Sequence, residues 1–266
     1  MTETLTKGTS EANGRLWGAR ARDWADIQEG QVAAAYHEVL DRCGVTSGTW
    51  HLDAGCGAGM ACALSASLGA AVAGLDASEE MLKIARDRTP SGYFRQGDLE
   101  ALPFEDDSFD VVTGFNAFQY AGDPAQALRE AGRVTRPGGK IVILTWGEPE
   151  GMEAAGHIAV MKPLLPAPPP GAPGPFALSE ESTLRAFAEK GGLTPMEIHD
   201  VETRWHYPDA DTALRGLSSP GVAVKAIEHA GEEAFRAAML AFLAPFVGAD
   251  GSVSFGARFR YLIATV

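Results

Sequence analysis

The sequence predicts an α/β fold: a doubly wound, mainly parallel seven-stranded sheet carrying a helical cap. Three observations lead there. Five strand-like runs alternate with helical ones between residues 49 and 146, the alternation that a parallel sheet requires. A glycine-rich turn, Gly55-Cys56-Gly57-Ala58-Gly59, follows the first of those strands. Two further strand-like runs, 196–205 and 258–266, bracket a helical stretch at 209–246.

The opening segment, 10–42, reads as helical, with Leu16, Trp17, Trp24 and Ile27, then Val32, Ala35, Tyr36, Val39 and Leu40, at helical spacing. It stops at Cys43-Gly44, where glycine can take the left-handed cap. The first strand spans 49–53; an Ala/Leu-rich helix follows and closes at Gly69. The second strand, 71–75, ends at Asp76, and Ser78 caps a helix with Glu79 and Glu80 in its first turn, where the helix dipole favours acids. Strands at 93–96 and 109–114 come next. Asp123-Pro124 starts another helix, and the turn Pro137-Gly138-Gly139 leads into the strand 140–146. Beyond it lie a helix at 151–161 and a Pro/Gly/Ala tract at 162–175 that suits neither a helix nor a central strand. That tract reads either as a surface loop or as a lid, since it follows the end of the fifth strand. A helix at 179–190 stops at Gly191-Gly192. The expected organisation is one domain over 1–266, with an N-terminal helical lid (10–42), a binding core (48–146), a Pro-rich lid loop (147–178) and a helical cap insertion (207–254).

Composition narrows the function classes. A chain of 266 residues, 45% apolar and 21% charged, can bury one sizeable core and falls among soluble globular proteins. The formal net charge of -13 repels phosphate backbones and anionic headgroups, so nucleic acid and membrane are not the expected partners. A small molecule is. The polar opening MTETLTKGTSEANGR does not read as a signal peptide, and no apolar run reaches membrane-spanning length. Cys43, Cys56 and Cys62 are odd in number and show no metal-type spacing, which suits reduced thiols in a cytoplasmic protein, monomeric or homodimeric.

The chemistry concentrates at strand ends, where ligands bind in open α/β sheets. Glycines at positions 55, 57 and 59 let the backbone turn tightly and approach a ligand, and the following helix points free N–H groups into the same space. Dinucleotide enzymes require their third glycine one position later, where Met60 stands, and Asp53 would sit badly beside a pyrophosphate. An acid at 53 suits the ammonium of an amino acid and a nearby sulfonium instead. Asp76 is placed for ribose hydroxyls, and Asp98 for an exocyclic adenine amine. Amino acid, ribose and adenine in that order describe S-adenosylmethionine (SAM).

The runs LDAGCGAGM, GLDASEEML, GDLEALPFEDDSFDVV and REAGRVTRPGGKIVIL resemble consecutive motifs of class I SAM-dependent methyltransferases. The nearest group is similar to the methyltransferases of ubiquinone and menaquinone biosynthesis, and the resemblance covers about residues 50–146. It implies a Rossmann-like methyltransferase fold and SAM as cofactor. It further implies that the loop with Asp53, Gly55, Cys56, Gly57 and Gly59 cradles the methionine portion. Asp76 with Ala77 then matches the ribose site, Met81 packs on adenine, Asp98 and Leu99 match the adenine edge, and Asn116 begins the segment under the sulfonium. Many relatives carry histidine where Gln119 or Tyr120 stands here.

For the acceptor, Gln119, Tyr120 and Trp146 at the ends of strands four and five are expected to floor a pocket with Asn116, covered by the Trp17-to-Trp24 helix and the cap. His206, His157 and Tyr120 are the candidates for a general base. No metal site is expected. The function that follows is methyl transfer to a small metabolite or natural product; the alternative is a SAM-binding protein of the same fold that does not methylate, a cyclase or a structural user of the cofactor. The run Asn116-Ala117-Phe118-Gln119 lacks the two prolines of base-methylating enzymes.

Overall fold

A computed structural model describes residues 9–168 and 174–266. Its seven-stranded sheet has the order β3-β2-β1-β4-β5-β7-β6. The strands are β1 (Trp50–Ala54), β2 (Ala71–Asp76), β3 (Tyr93–Gln96), β4 (Phe109–Phe115), β5 (Thr135–Trp146), β6 (Thr194–Tyr207) and β7 (Val253–Thr265). β1 to β5 pair in parallel, while β7 runs antiparallel to both β5 and β6. Strand order reverses between β1 and β4, which opens a crevice at their carboxyl ends.

The sheet is buried on both faces, so its central strands are apolar throughout rather than alternating. In β5, Ile141 and Ile143 pack with Leu52, with Leu128 of α6 (Pro124–Val134) and with Leu184 of α8 (Glu181–Lys190). Val142 and Leu144 face the opposite layer, with Val39 of α3 (Ala33–Cys43) and with Phe255, Phe259 and Tyr261 of β7. The core-strand helices α4 (Met60–Ser67) and α5 (Glu79–Arg88) flank β1 and β2. Ser78 caps α5 through Met81 N–H at 3.3 Å, and Gly44 closes α3 with φ +71, as the residue types require.

Tertiary structure redraws several boundaries. The opening segment is not one helix: α1 (Ser10–Gly18) and a single turn, α2 (Ala21–Asp23), lead into a π-helical turn (Trp24–Gln28) and a 3₁₀ turn (Glu29–Val32) before α3. β7 begins at Val253 rather than at 258, because β6 pairs with it from Thr194↔Thr265 to Tyr207↔Val253. The Pro137-Gly138-Gly139 run falls within β5, where a register shift opposite Phe109 and Val111 absorbs it. The cap breaks at Pro220 and Gly231 into α9 (Ala210–Leu217), α10 (Gly221–Ala230) and α11 (Glu232–Leu243). Between β5 and α8 lie α7 (Ala155–Met161) and a 3₁₀ turn at Lys162–Leu164; residues 169–173 of the expected 147–178 loop lie outside the described residues.

The opening segment and the cap do pack on one another. Trp17 of α1 lies against Gly221 of α10, where an added Cβ would come within 2.8 Å of the indole. Ion pairs Arg15–Glu228, Arg20–Glu232 (2.8 Å) and Arg215–Asp23 (2.5 Å) line the seam. Exposed pairs contribute at most about 1 kcal/mol each, so the apolar contact carries the seam. In the sheet, Ile143 is fully buried, and Ile143→Ala is expected to lower unfolding free energy by about 2–5 kcal/mol, read as a lower urea midpoint at unchanged slope.

Candidate functional site

The crevice at the reversal point is a cavity walled by the ends of β1, β2 and β4, the turn after β3, and the opening segment. Its floor is the glycine loop, which is tied to the end of β2. The N–H groups of Gly55 and Cys56 both donate to the Leu75 carbonyl, at 2.7 and 2.9 Å. Gly57 N–H donates to Asp76 Oδ2 at 2.8 Å, and Ser78 N–H to Oδ1 at 2.8 Å. Each Asp76 oxygen therefore keeps one lone pair for a ligand. Burial raises the Asp76 carboxyl, and the N–H groups of Ser78, Gly57 and Ala77 oppose that rise.

Asp53 projects from β1 into the same cavity with 2% of its surface exposed. Its Oδ1 accepts from Thr113 Oγ1 at 2.7 Å. Burial pushes its carboxyl up to about 7, against the Thr113 bond and with help from the charges of Glu29 and Asp76. Asp98 and Leu99 line the far end after β3, with Asp98 Oδ1 accepting from Glu100 N–H at 3.0 Å. Asn116 reaches the cavity from the end of β4 with φ +52, a left-handed conformation that asparagine tolerates.

Of the residues expected to hold a cofactor, Asp53, Gly55, Cys56, Gly57, Asp76, Ala77, Met81, Asp98, Leu99 and Asn116 line this one cavity. Gly59 does not. It starts α4 with φ +80, and a Cβ there would lie 2.7 Å from Ala85 Cβ, so the third glycine lets α4 and α5 close up. Cys56 is held protonated by a hydrogen bond with Cys62 and by burial, which removes it as a nucleophile.

Of the acceptor-side expectations, Trp17, Trp24 and Tyr120 line the cavity. The two indoles meet edge-to-face at 5.0 Å, and Tyr120 approaches Trp17 at 6.2 Å. Gln119 turns away from the lining to donate to Asn116 Oδ1 at 3.2 Å. Trp146 lies within an aromatic cluster, stacked on Phe259 at 4.9 Å and near Trp205 at 5.9 Å. His157 belongs to that cluster too; its Nδ1–H donates to the Ala154 carbonyl at 2.5 Å, and burial lowers its pKa to about 4. His206 is exposed on β6, where its backbone N–H donates to Gln31 Oε1 at 2.8 Å. The structure thus brings only Tyr120 of the three base candidates to the cavity. The two histidines go elsewhere because β6 and α7 pack beside the sheet's other half.

The cavity also has lining residues that the sequence did not single out for a site. Glu29, Val32 and Tyr36 come from the opening segment, and Phe115 pairs edge-on with Tyr36 at 4.6 Å. Glu29 sits between apolar positions, an acid where a buried helix face expects none, and that contrast is the cue. Arg88, the last residue of α5, pairs with Glu29 and donates to the carbonyls of Ala58 at 3.0 Å and Ala25 at 2.6 Å. One guanidinium so joins the opening segment, the glycine loop and α5. With Glu29, the cavity carries four acids (Glu29, Asp53, Asp76, Asp98), and no Lys, Arg or His among the described residues lines it. Also among the described residues, no cluster of three His, Cys, Asp or Glu suits a metal ion, and no helix is long and apolar enough to cross a membrane. Arg88→Met leaves a buried carboxylate without its counter-ion, which costs on the order of 3 kcal/mol. Amide exchange is expected to quicken over residues 10–32 while β4 and β5 stay protected.

Known proteins resemble this chain in sequence and in fold. Residues 52–143 match the family model described as a methyltransferase domain. Malonyl-[acyl-carrier protein] O-methyltransferase of Erwinia pyrifoliae is 32% identical over 221 residues, 83% of this chain and 79% of that protein. Demethylmenaquinone methyltransferase of Renibacterium salmoninarum is 39% identical over 123 residues, 46% of this chain and 52% of that protein. The chain spans 36% to 63% of the length of three of the curated relatives it matches. Among solved structures, a SAM-dependent methyltransferase from Aquifex aeolicus has a TM-score of 0.52 at 19% identity, covering 69% of this chain and 92% of its own. The [4+2]-cyclase SpnF has a TM-score of 0.56 at 20% identity, covering 87% of this chain and 80% of its own. At those identities the structures speak for the fold, and the sequence relatives carry the family: the chain belongs to the SAM-dependent methyltransferases.

Proposed function

We propose that the chain transfers a methyl group from SAM to a small-molecule acceptor, with residues 10–42 serving as a lid, 207–254 as a cap and 48–146 as the SAM-binding core of one domain over 1–266. The observation that carries the reading is that every charged side chain lining the cavity, among the described residues, is an acid. Of the four carboxyls only Glu29 has a cation of the protein beside it, Arg88; the other three suit a ligand bearing a sulfonium and an ammonium, and repel the phosphates of a dinucleotide. The residues fit the cofactor in order: Asp53 and the loop of Gly55, Cys56 and Gly57 for the methionine portion, Asp76 and Ala77 for the ribose, Met81, Asp98 and Leu99 for the adenine, and Asn116 beneath the sulfonium.

SAM supplies a carbon already activated for displacement. The protein's own work is then alignment and exclusion of water, and alignment alone can supply on the order of 7–11 kcal/mol. Trp17, Trp24 and Tyr120 offer an aromatic wall on the lid side, suited to a flat or apolar acceptor. Tyr120 lines the cavity and is 38% exposed, whereas Tyr36 is buried, which suits Tyr120 to contact with an acceptor. A net charge of -13 supports a small, non-phosphorylated acceptor over nucleic acid, and the three free thiols support a cytoplasmic location, as monomer or homodimer.

Two measurements test the reading. Isotope-labelled SAM incubated with the protein and a pooled small-molecule extract is expected to yield a label-bearing product by mass spectrometry. Tight SAM binding with no labelled product from any extract would favour the cyclase-like alternative. Asp76→Ala is expected to weaken SAM binding at least tenfold in calorimetry with the thermal midpoint kept near wild type; unchanged affinity would refute the ribose assignment.

A further inference from the structure

We propose that Thr113 and His51 are positioning residues: a buried hydrogen-bond chain from His51 through Thr113 orients the Asp53 carboxylate and favours its ionised form, so that capture of the cationic cofactor is coupled to a proton. The inference rests on Asp53 being the acid that meets the cofactor's ammonium. His51 and Thr113 lie on adjacent strands, β1 and β4, in the register His51↔Val111 and Asp53↔Thr113. His51 and Thr113 are fully buried. His51 Nε2 lies 2.9 Å from Thr113 Oγ1, which lies 2.7 Å from Asp53 Oδ1. Neither residue lines the cavity.

The hydroxyl has a single proton, and that fixes the direction of the chain. With Asp53 ionised, Thr113 donates to Oδ1 and must accept from His51 Nε2–H. His51 Nδ1 is then a bare lone pair, and Nδ1 has no partner. Were Oδ1 to carry a proton, the chain would reverse and strand an Nδ1–H donor in the interior, the costlier arrangement. Burial holds His51 neutral, its pKa lowered to about 4, so it cannot act as a cation. Protons therefore come and go at Asp53 Oδ2, which has no hydrogen-bond partner among the described residues.

The surroundings make that proton matter. Facing Asp53 are Glu29 from the 3₁₀ turn, Asp76 from β2, Tyr36 from α3, and the Cys56 and Cys62 thiols. The one cation in the group, Arg88 of α5, is engaged by Glu29 and two carbonyls. Repulsion and burial push the Asp53 carboxyl up, and the Thr113 bond opposes them. Because burial holds this group at about 7, the ionised, binding form prevails above that pH and is lost as pH falls through it.

The test is SAM calorimetry from pH 5.5 to 8.5, repeated in two buffers of different ionisation enthalpy. For the wild-type protein, affinity is expected to fall about tenfold per pH unit below the inflection near 7, with net proton release on binding around it. Thr113→Val removes the donor while keeping the shape, and is expected to move the inflection up by about one pH unit. Thr113→Ser is expected to restore it. His51→Leu breaks only the far link and is expected to give a smaller upward shift, which decides the matter if Thr113→Val does not fold. The titration of the cofactor's own ammonium is common to every variant, so differences between variants are the readout. A folded Thr113→Val with the wild-type inflection, or an unshifted His51→Leu, overturns the chain. Asp53→Asn binding SAM with wild-type affinity and pH profile would instead overturn the reading of Asp53 itself.

Discussion

The attachment of the glycine loop to the end of β2 is the constraint on which the rest of the site depends. One carbonyl, Leu75, takes the N–H groups of both Gly55 and Cys56, and the next side chain, Asp76, takes that of Gly57. The loop cannot move without breaking the two bonds to the Leu75 carbonyl and taking the Gly57 N–H from the Asp76 carboxylate. This tie places the carboxyls of Asp53 and Asp76 side by side at the ends of neighbouring strands. The parallel register of β1 with β2 and β4 then fixes their spacing, since Asp53 pairs with Gly74 on one side and Thr113 on the other.

Electrostatics follow from that placement. Like charges brought together in a buried crevice raise one another's pKa and demand a cation. The protein does not supply one from its own side chains: Arg88 is spent on Glu29 and on the carbonyls that hold the opening segment down. The ligand is left to bring the positive charge. Cofactor and lid are thereby linked, because the acid that the lid contributes lines the cavity and is paired behind it with the arginine that secures the lid. The π-helical turn at Trp24–Gln28 belongs to this arrangement; such turns often mark functional sites, and here it directs Trp24 and, one turn on, Glu29 toward the glycine loop.

The other half of the sheet has a different task. Trp146, His157, Trp205, Phe242, Phe255 and Phe259 form one aromatic cluster between the end of β5, the β6–β7 pair and the cap. Its members bear chemically suggestive side chains, yet His157 is satisfied by a backbone carbonyl and held neutral. The cluster is packing. It anchors α11 and the long β6–β7 pair, and through the cap it supports the helix that carries Trp17.

What the sequence determined by itself was what local chemistry and period specify. Glycines that need positive φ, acids at strand ends and Ser78 at a helix start are each legible within a few residues, so β1 to β5, the loop and Asp53, Asp76 and Asp98 could be read before any coordinates. The family motifs span the same region. Contacts between distant residues were decided only by tertiary structure. Glu29 meets Arg88 across 59 positions and Tyr207 meets Gln28 across 179; no local pattern encodes either. Those contacts fall where the opening segment passes from its π turn to its 3₁₀ turn. They bring Glu29 and Tyr36 to the cavity, and packing of β6 and α7 carries His206 and His157 away from it. Side-chain type and spacing constrain a neighbourhood, whereas the destination of a side chain is set by which surfaces bury each other when the layers close.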